Sequence, residues 1–133
     1  METTEIEVDS PGRGVADLTE AVMSFCADLG DGLLTVFAPH ATAGVGLMEL
    51  GSGSEADLVD ALDRLLPRSE DYRHRHGSPG HGADHLLPLL VSPSIVLPVL
   101  GGRPALGTWQ SVVMVDLNAD NRRRRARLSF ISG

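Results

Sequence analysis

Short apolar segments punctuated by glycine and proline are the feature of this sequence that most constrains its fold. Alternation of apolar and polar side chains over about four to eight residues is typical of a half-buried strand, and a short continuous apolar run is typical of a buried one. Five such segments are expected to form the main sheet: Leu33–Ala38, Gly44–Glu49, Ile95–Val99, Thr108–Asp116 and Arg125–Ile131. A further strand is expected near the start of the chain, where Thr4, Ile6 and Val8 alternate with acidic residues.

Only two long segments show the helical period of about 3.6 residues. In the first, apolar side chains recur at helical spacing from Val15 to Leu29. The second, Glu55–Leu66, follows a glycine–serine cluster that supplies an N-cap, and Pro67 closes it. A short third helix is expected near Gly82, with Pro88 limiting its length.

The order of these elements predicts an α+β fold. Strands come in adjacent pairs and helices fall between the pairs, which favours a largely antiparallel sheet with two main helices and one short helix. The length of 133 residues fits one compact domain, and we find no internal repeat, linker or low-complexity tract, so residues 1–133 are expected to form a single domain. No G-x-G-x-x-G motif follows a strand, which argues against a dinucleotide-binding fold.

The composition excludes several kinds of chemistry. The chain has no lysine, so it has neither a lysine Schiff base nor a P-loop, and arginine supplies every basic side chain. The net charge of −7 argues against nucleic acid as a partner, because such binding depends mainly on neutralising phosphates. One cysteine, Cys26, leaves no disulfide framework and no multi-cysteine zinc site, and its place on an apolar helix stripe indicates a core residue.

Neither membrane insertion nor export is expected from the sequence. The longest apolar region, Leu86–Leu100, is broken by three prolines and is too short to span a bilayer. The first ten residues carry early glutamates and no apolar stretch, unlike a signal peptide. With a single cysteine, these features predict a cytoplasmic protein that does not contact the membrane.

Histidines are the main candidates for a functional site. Four of the five lie between residues 72 and 85, while His40 stands alone between two expected strands. His81 and His85 would share one face of a helix, and His74 and His76 would share one face of a strand. A catalytic zinc site typically uses three such ligands and a water molecule. The alternative is that these histidines belong to a solvated, glycine-rich loop.

The charges of Arg122–Arg125 are expected to form a solvated turn at a hairpin end.

The order of several motifs resembles the YjbQ-like family over nearly the whole chain. The family pattern is an H-T-S-A segment followed by N-E, then Y-x-H, a short A-H-[IL] segment and an L-G-T-W-Q block. The matching segments are His40–Ala43 with Glu49, then Tyr72–His74, Ala83–Leu86 and Leu106–Gln110. The last of these, LGTWQ, is the most specific.

The resemblance implies a small α+β homotrimer with secondary thiamine-phosphate synthase activity, which joins a pyrimidine pyrophosphate to a thiazole phosphate. It implies a histidine-lined pocket whose catalytic residues are His40, Glu49, His74 and His85. Thr42, Trp109 and Gln110 are then the expected substrate-binding residues. On this basis His40, His74 and His85 are expected to converge, with Glu49 nearby and Trp109 as a wall. The three histidines are the candidate ligands of a divalent metal, Zn or Mg.

The chain departs from the family pattern where it replaces polar residues. The asparagines that flank the glutamate are Met48 and Leu50, and a basic residue and a serine are Leu87 and Pro88. Because these polar groups are missing, this chain is expected to bind a ligand different from that of the family. Two alternatives to the synthase therefore stay open: a metal-dependent hydrolase of a small phosphorylated metabolite, with Glu49 as base, and a non-catalytic trimeric ligand-binding protein.

Overall fold

The computed structural model describes all residues, 1–133, and contains eight strands and four helices. The strands are β1 (Glu2–Asp9), β2 (Gly14–Asp17), β3 (Gly32–Phe37), β4 (Ala43–Met48), β5 (Ser94–Leu100), β6 (Arg103–Pro104), β7 (Ser111–Asp116) and β8 (Arg123–Ser132). The helices are α1 (Thr19–Cys26), α2 (Ser54–Leu65), α3 (His81–Asp84) and α4 (Leu87–Leu90). None of the four is long and apolar enough to cross a membrane.

All strand pairs are antiparallel, and the predicted single α+β domain is confirmed. The expectation of one main sheet is wrong, because the strands form two. A five-stranded sheet has the order β1-β8-β3-β5-β6, and a three-stranded sheet has the order β2-β7-β4.

Burial on both faces of β7 explains the division into two sheets. Val112 and Met114 face the main core between the sheets, with Leu34 of β3 and Leu128 of β8. Val113 and Val115 point the other way, into a second apolar cluster that includes Leu62 of α2 and Leu87 of α4. A strand covered on both sides reads as a continuous apolar run rather than an alternating one. Cys26 lies in the main core, as expected.

The beginning of the first helix was predicted wrongly. Val15 belongs to β2, where it pairs with Val115, and the helix begins at Thr19. Pairing with the central strand β7 overrides the helical spacing of the apolar residues.

Two other elements differ at their ends from the predictions. The segment Thr108–Gln110 forms a turn before β7, so Trp109 is not a strand residue. The short third helix is divided into α3 and α4, and Pro88 lies in the first turn of α4, where its missing N–H costs no helical hydrogen bond.

Candidate metal centre

Three histidines in the segment after α2 bring ring nitrogens together. One nitrogen from each of His74, His81 and His85 lies within 4.8 Å of the others, and the Nε2 atoms of His81 and His85 are 2.9 Å apart. Ligands of one zinc ion lie about 2.0–2.1 Å from it, so small shifts would let these nitrogens share an ion. His76 lies beside this group, with its ring centre 4.0 Å from that of His74, but it is not one of the three.

Helix α3 and its glycines create this geometry. His81 and His85 are four residues apart, at the start of α3 and just after its end, so their rings face the same side. A Cβ at Gly82 would lie 2.6 Å from Tyr72 Cβ and 2.9 Å from His74 O. Glycine at this position therefore lets the segment that carries His74 pack directly on α3.

The second ring nitrogen of His81 contacts a donor and an acceptor. Its Nδ1 is 3.0 Å from Asp120 Oδ2 and 2.8 Å from Asn118 Nδ2. With the proton on Nδ1, His81 donates to the carboxylate and its Nε2 lone pair faces His85. With the proton on Nε2, Nδ1 accepts from the amide. A metal would select the first tautomer, which is the usual carboxylate–histidine–metal arrangement.

A buried polar network holds Asn118 in place. Its Nδ2 donates to Asp84 Oδ2 at 3.0 Å, and its Oδ1 accepts the Asp120 backbone N–H at 2.9 Å. Asp84 is 1% exposed and forms an ion pair with Arg68. Because a buried carboxylate without a partner is costly, this pairing gives the network one stable arrangement.

The environment favours neutral imidazoles and an ionised carboxylate. Burial lowers the pKa of His74 and of His85, and the neighbouring histidines lower each further. The backbone N–H of Ser78 is the main cause of the lowered pKa of Asp120. Neutral imidazole is the form that binds metals, and ionised Asp120 is the form that accepts a hydrogen bond from the Nδ1–H of His81.

His40 lies outside the group of three. Its Nε2 accepts the backbone N–H of Arg125 at 2.9 Å, beside the end of β3. Burial is the main cause of its lowered pKa, followed by the charge of Arg124. The structure therefore brings together two of the three expected ligands, His74 and His85. The third histidine of the group is His81 and not His40.

The other expected site residues lie in separate contacts. Glu49 is exposed just after β4 and accepts a hydrogen bond from Ser52 Oγ at 3.0 Å. Trp109 is 74% exposed, and Gln110 Oε1 accepts the Gly107 N–H within the same turn. None of these three contacts the histidine group, so their roles stay predictions.

Thr42 is buried beside an internal ion pair. Its Oγ1 accepts a hydrogen bond from Arg124 Nη2 at 3.1 Å, and Arg124 Nε donates to Asp116 Oδ2 at 2.6 Å. Arg124 is only 6% exposed, so the expectation that Arg122–Arg125 is simply a solvated turn is wrong at this residue. The strand alternation of β8 turns it inward.

The departures from the family pattern are explained by packing. Met48 and Leu50 lie partly buried against the second apolar cluster, and Leu87 is completely buried within it. Pro88 begins α4. Met48, Leu50 and Leu87 therefore extend the second apolar cluster rather than line the histidine group, whereas Pro88 lines a surface cleft with His85.

Asp120 and Asn118 were missed as site residues. They follow β7 in the polar turn 117–121, and only their alternation with apolar residues after a buried strand could have drawn attention to them. His81 was recognised for its spacing from His85 but was left out of the expected ligand set.

Comparison with known proteins identifies the family. The profile described as "UPF0047 protein YjbQ-like" matches residues 4–133. A UPF0047 protein of Mycobacterium tuberculosis is 61% identical over the full length of both chains, and one of Archaeoglobus fulgidus is 32% identical over 83% of this chain and 86% of its own.

Two solved structures share the fold. A hypothetical protein of Aeropyrum pernix has a TM-score of 0.90 and 30% identity over the whole of both chains. A YbjQ-like protein of unknown function from Sulfolobus solfataricus has a TM-score of 0.91 and 21% identity, and the alignment covers 99% of this chain and 97% of that one. The chain belongs to the YjbQ-like UPF0047 family.

Proposed function

We propose that this protein is a zinc-dependent hydrolase of a small phosphorylated metabolite, with His74, His81 and His85 as the metal ligands. The observation that carries the proposal is the meeting of three imidazole nitrogens within 4.8 Å, one of them on a ring whose other nitrogen contacts a carboxylate. Three nitrogen donors favour zinc over magnesium, because magnesium prefers oxygen ligands.

The three histidines leave room for chemistry at the metal. A zinc ion with three protein ligands keeps a position for water or substrate, lowers the pKa of the bound water and polarises a phosphoryl oxygen. Asp120 holds the Nδ1 proton of His81 and so keeps the Nε2 lone pair available. Asn118 links Asp120 to α3, because it accepts the backbone N–H of Asp120 and donates to Asp84 of α3.

This arrangement favours a hydrolase over the thiamine-phosphate synthase that the resemblance implies. A synthase must stabilise a departing pyrophosphate, which calls for several cations. The histidine group instead resembles a single nitrogen-ligand metal site. Glu49, expected as the base, contacts Ser52 and not the histidines. The carboxylate beside the histidine group is Asp120, and we assign it the role of orienting His81.

Cys26 is a buried free thiol, which agrees with the proposed cytoplasmic location.

The decisive measurement is the zinc content and zinc affinity of protein purified without an affinity tag. Wild type should bind one zinc ion per chain, and His85→Ala should lose that ion while its circular dichroism spectrum stays unchanged. His76→Ala is the matched control, because it removes a neighbouring imidazole from the same segment and should retain zinc.

Activity is then measured with p-nitrophenyl phosphate, and separately with the pyrimidine pyrophosphate and thiazole phosphate precursors. Zinc-dependent release of phosphate that is lost in His85→Ala supports the hydrolase. Condensation of the two precursors without hydrolysis would support the synthase instead. A wild-type protein that binds no zinc, or equal zinc binding by the two alanine variants, would overturn the proposed site.

A further inference from the structure

A shallow cleft of about 660 Å³ adjoins the histidine group. Its walls include Phe37, Pro39, His40, His85, Leu89 and Pro93. We propose that this cleft binds the flat, apolar organic part of the phosphorylated substrate, and that His40 donates a hydrogen bond to it from Nδ1. This inference rests on the proposed function and specifies the class of substrate.

The cleft and the metal centre are continuous through one residue. His85 lines the cleft, and its Nε2 lies 2.9 Å from Nε2 of His81 within the metal centre. A molecule with its phosphoryl group at the metal therefore has its organic part beside the cleft. A second cavity, around His74 and His81, is lined mainly by charged, polar and glycine residues of the segment 70–82. The apolar part of a substrate would be favoured on the His85 side.

The backbone around His40 determines which ring nitrogen carries the proton. Pro39 has no N–H, and β3 ends at Phe37, so β8 has no partner on its β3 side at Arg125, although Glu7 of β1 pairs with it on the other side. The His40 ring occupies that place, with Nε2 at 2.9 Å from Arg125 N and 3.1 Å from Arg125 O. One nitrogen can satisfy only one of the two. An unpaired backbone N–H is rarer than an under-satisfied carbonyl, so Nε2 accepts and the proton lies on Nδ1.

The Nδ1–H of His40 is then free to bind a ligand. Every hydrogen bond that the structure gives His40 is made by Nε2. The lowered pKa of His40 agrees with a neutral ring. A neutral donor suits a ring nitrogen or carbonyl oxygen in the organic part of the substrate, whereas the phosphoryl charge belongs at the metal.

The remaining walls suit an apolar occupant. Leu89 is 84% exposed and Phe37 is 40% exposed, although each is a large apolar side chain. A flat group placed between them would remove apolar surface from water on both sides, which favours binding. The competing occupant is a second copy of this chain, and the test below distinguishes the two.

The test compares phenylphosphonate with methylphosphonate, which share the same head group and resist hydrolysis. Calorimetry on the zinc-loaded protein should show tighter binding of phenylphosphonate by about tenfold or more, since even one methylene in an apolar pocket can discriminate by that much. Leu89→Ser should remove most of this preference. Leu100→Ser is the matched control, because Leu100 is also exposed (61%) but lies at the far end of β5 from Pro93.

Ring-nitrogen NMR tests the part played by His40. The His40 signals, assigned by comparison with His40→Gln, should show a proton on Nδ1, and phenylphosphonate should shift them more than methylphosphonate does. A proton on Nε2 would overturn the proposed donor.

Each result has a distinct meaning. Equal affinity for the two phosphonates would overturn the cleft while leaving the metal site intact. A change of oligomeric state in Leu89→Ser, but not in Leu100→Ser, would show that the cleft is covered by a second copy and would also overturn the inference. Absence of binding by both phosphonates would overturn the proposed function together with it.

Discussion

At the scale of single residues, contacts with neighbouring groups influence which ring nitrogen of His40 and of His81 carries the proton. His40 accepts from a backbone N–H, so its proton is directed to the opposite nitrogen. His81 faces a carboxylate, so its proton can be held at Nδ1 and its other nitrogen is free for a metal. The two rings thus present opposite groups to a ligand, a donor from His40 and a lone pair from His81.

The lowered pKa of His40 predicts a pH dependence of stability. A folded-state pKa below the ordinary value of about 6.5 means that the unfolded chain binds the proton more readily. Stability from this residue is therefore present above that ordinary value and is lost as the pH falls below it toward the folded-state pKa. In metal-free protein at pH 7.5, His40→Ala should be less stable by about 1 kcal/mol through the lost hydrogen bond. Thermal unfolding should show that the difference in stability between wild type and this variant becomes smaller from pH 7.5 to pH 5. A difference that grows on acidification would contradict the prediction.

Asp120 is expected to control zinc affinity without binding zinc. Asp120→Asn removes the negative charge that holds the Nδ1 proton of His81, and such changes typically weaken metal binding about 10–100-fold. Competition with a chromophoric chelator measures the effect. Asp71→Asn is the control, since Asp71 is an exposed carboxylate of the same segment that pairs with Arg75. Equal losses in both variants would indicate a general effect of charge.

At the scale of elements, β4 and the end of α4 approach each other closely. This contact holds the segment that carries the three histidines, residues 74–85, against the sheets. Val45 N–H donates to Ser92 O at 2.8 Å, just after α4. A Cβ at Gly44 would lie 2.0 Å from Val91 O, so the strand and the end of the helix can meet only at a glycine.

Gly44→Ala should therefore be strongly destabilising. Forcing extra atoms into a packed interior typically costs about 1–3 kcal/mol, and backbone on the facing side cannot move aside like a flexible side chain. Gly46→Ala is the matched control in the same strand, because a Cβ there meets nothing within 4 Å. It should be neutral or slightly stabilising, because glycine within a strand costs about 0.5–1 kcal/mol relative to alanine. Denaturant unfolding compares the two, and equal midpoints would refute the argument.

At the scale of the whole molecule, one face of the five-stranded sheet lacks a cover. Leu33 of β3 pairs with Ile131 of β8, and Val96 lies on the neighbouring strand β5. These three side chains are between 52% and 58% exposed. Apolar side chains that are neighbours on one sheet face are typical of a surface that contacts a partner.

We propose that this face contacts further copies of the chain in the homotrimer that the family resemblance implies. Light scattering at micromolar concentration should give about three times the chain mass of 14.1 kDa. Ile131→Glu should yield monomers, because it introduces a charge into the apolar face. Leu65→Glu is a control for an added charge at an exposed apolar residue, since Leu65 is 66% exposed and lies on α2, outside the five-stranded sheet. A monomeric wild type would overturn the proposal.

The sequence is most informative where local patterns and tertiary structure agree. Strand alternation located β8, and glycine and proline located the ends of α2. The assignment of strands to two sheets depends on long-range pairing, so no local pattern could separate β4 and β7 from β3. Val15 was assigned to the helix for the same reason, because its pairing with Val115 is also long-range.

The same limit applies to the metal centre. The i, i+4 spacing of His81 and His85 predicted that they share a face, because helical geometry fixes it. That His74 joins them depends on Gly82 allowing two segments to touch, and that Asp120 orients His81 depends on a turn 39 residues away. His40 was expected in the group because its sequence context matched the family pattern, whereas its ring contacts the Arg125 backbone of β8 just beyond the end of β3.

The 2.9 Å contact between the Nε2 atoms of His81 and His85 has a consequence for exchange of the ion with its surroundings. The hydrogen bond between the two rings keeps them together when no ion is bound, so the ligands are already gathered when one arrives. Capture would then require the proton between the two rings to move to the other nitrogen of its own ring and the rings to separate slightly, but no folding of the segment. Zinc fingers differ, because they unfold when a chelator removes the metal. In this protein the two apolar clusters pack without the histidine group, so the chain would stay folded when the ion leaves the proposed zinc site.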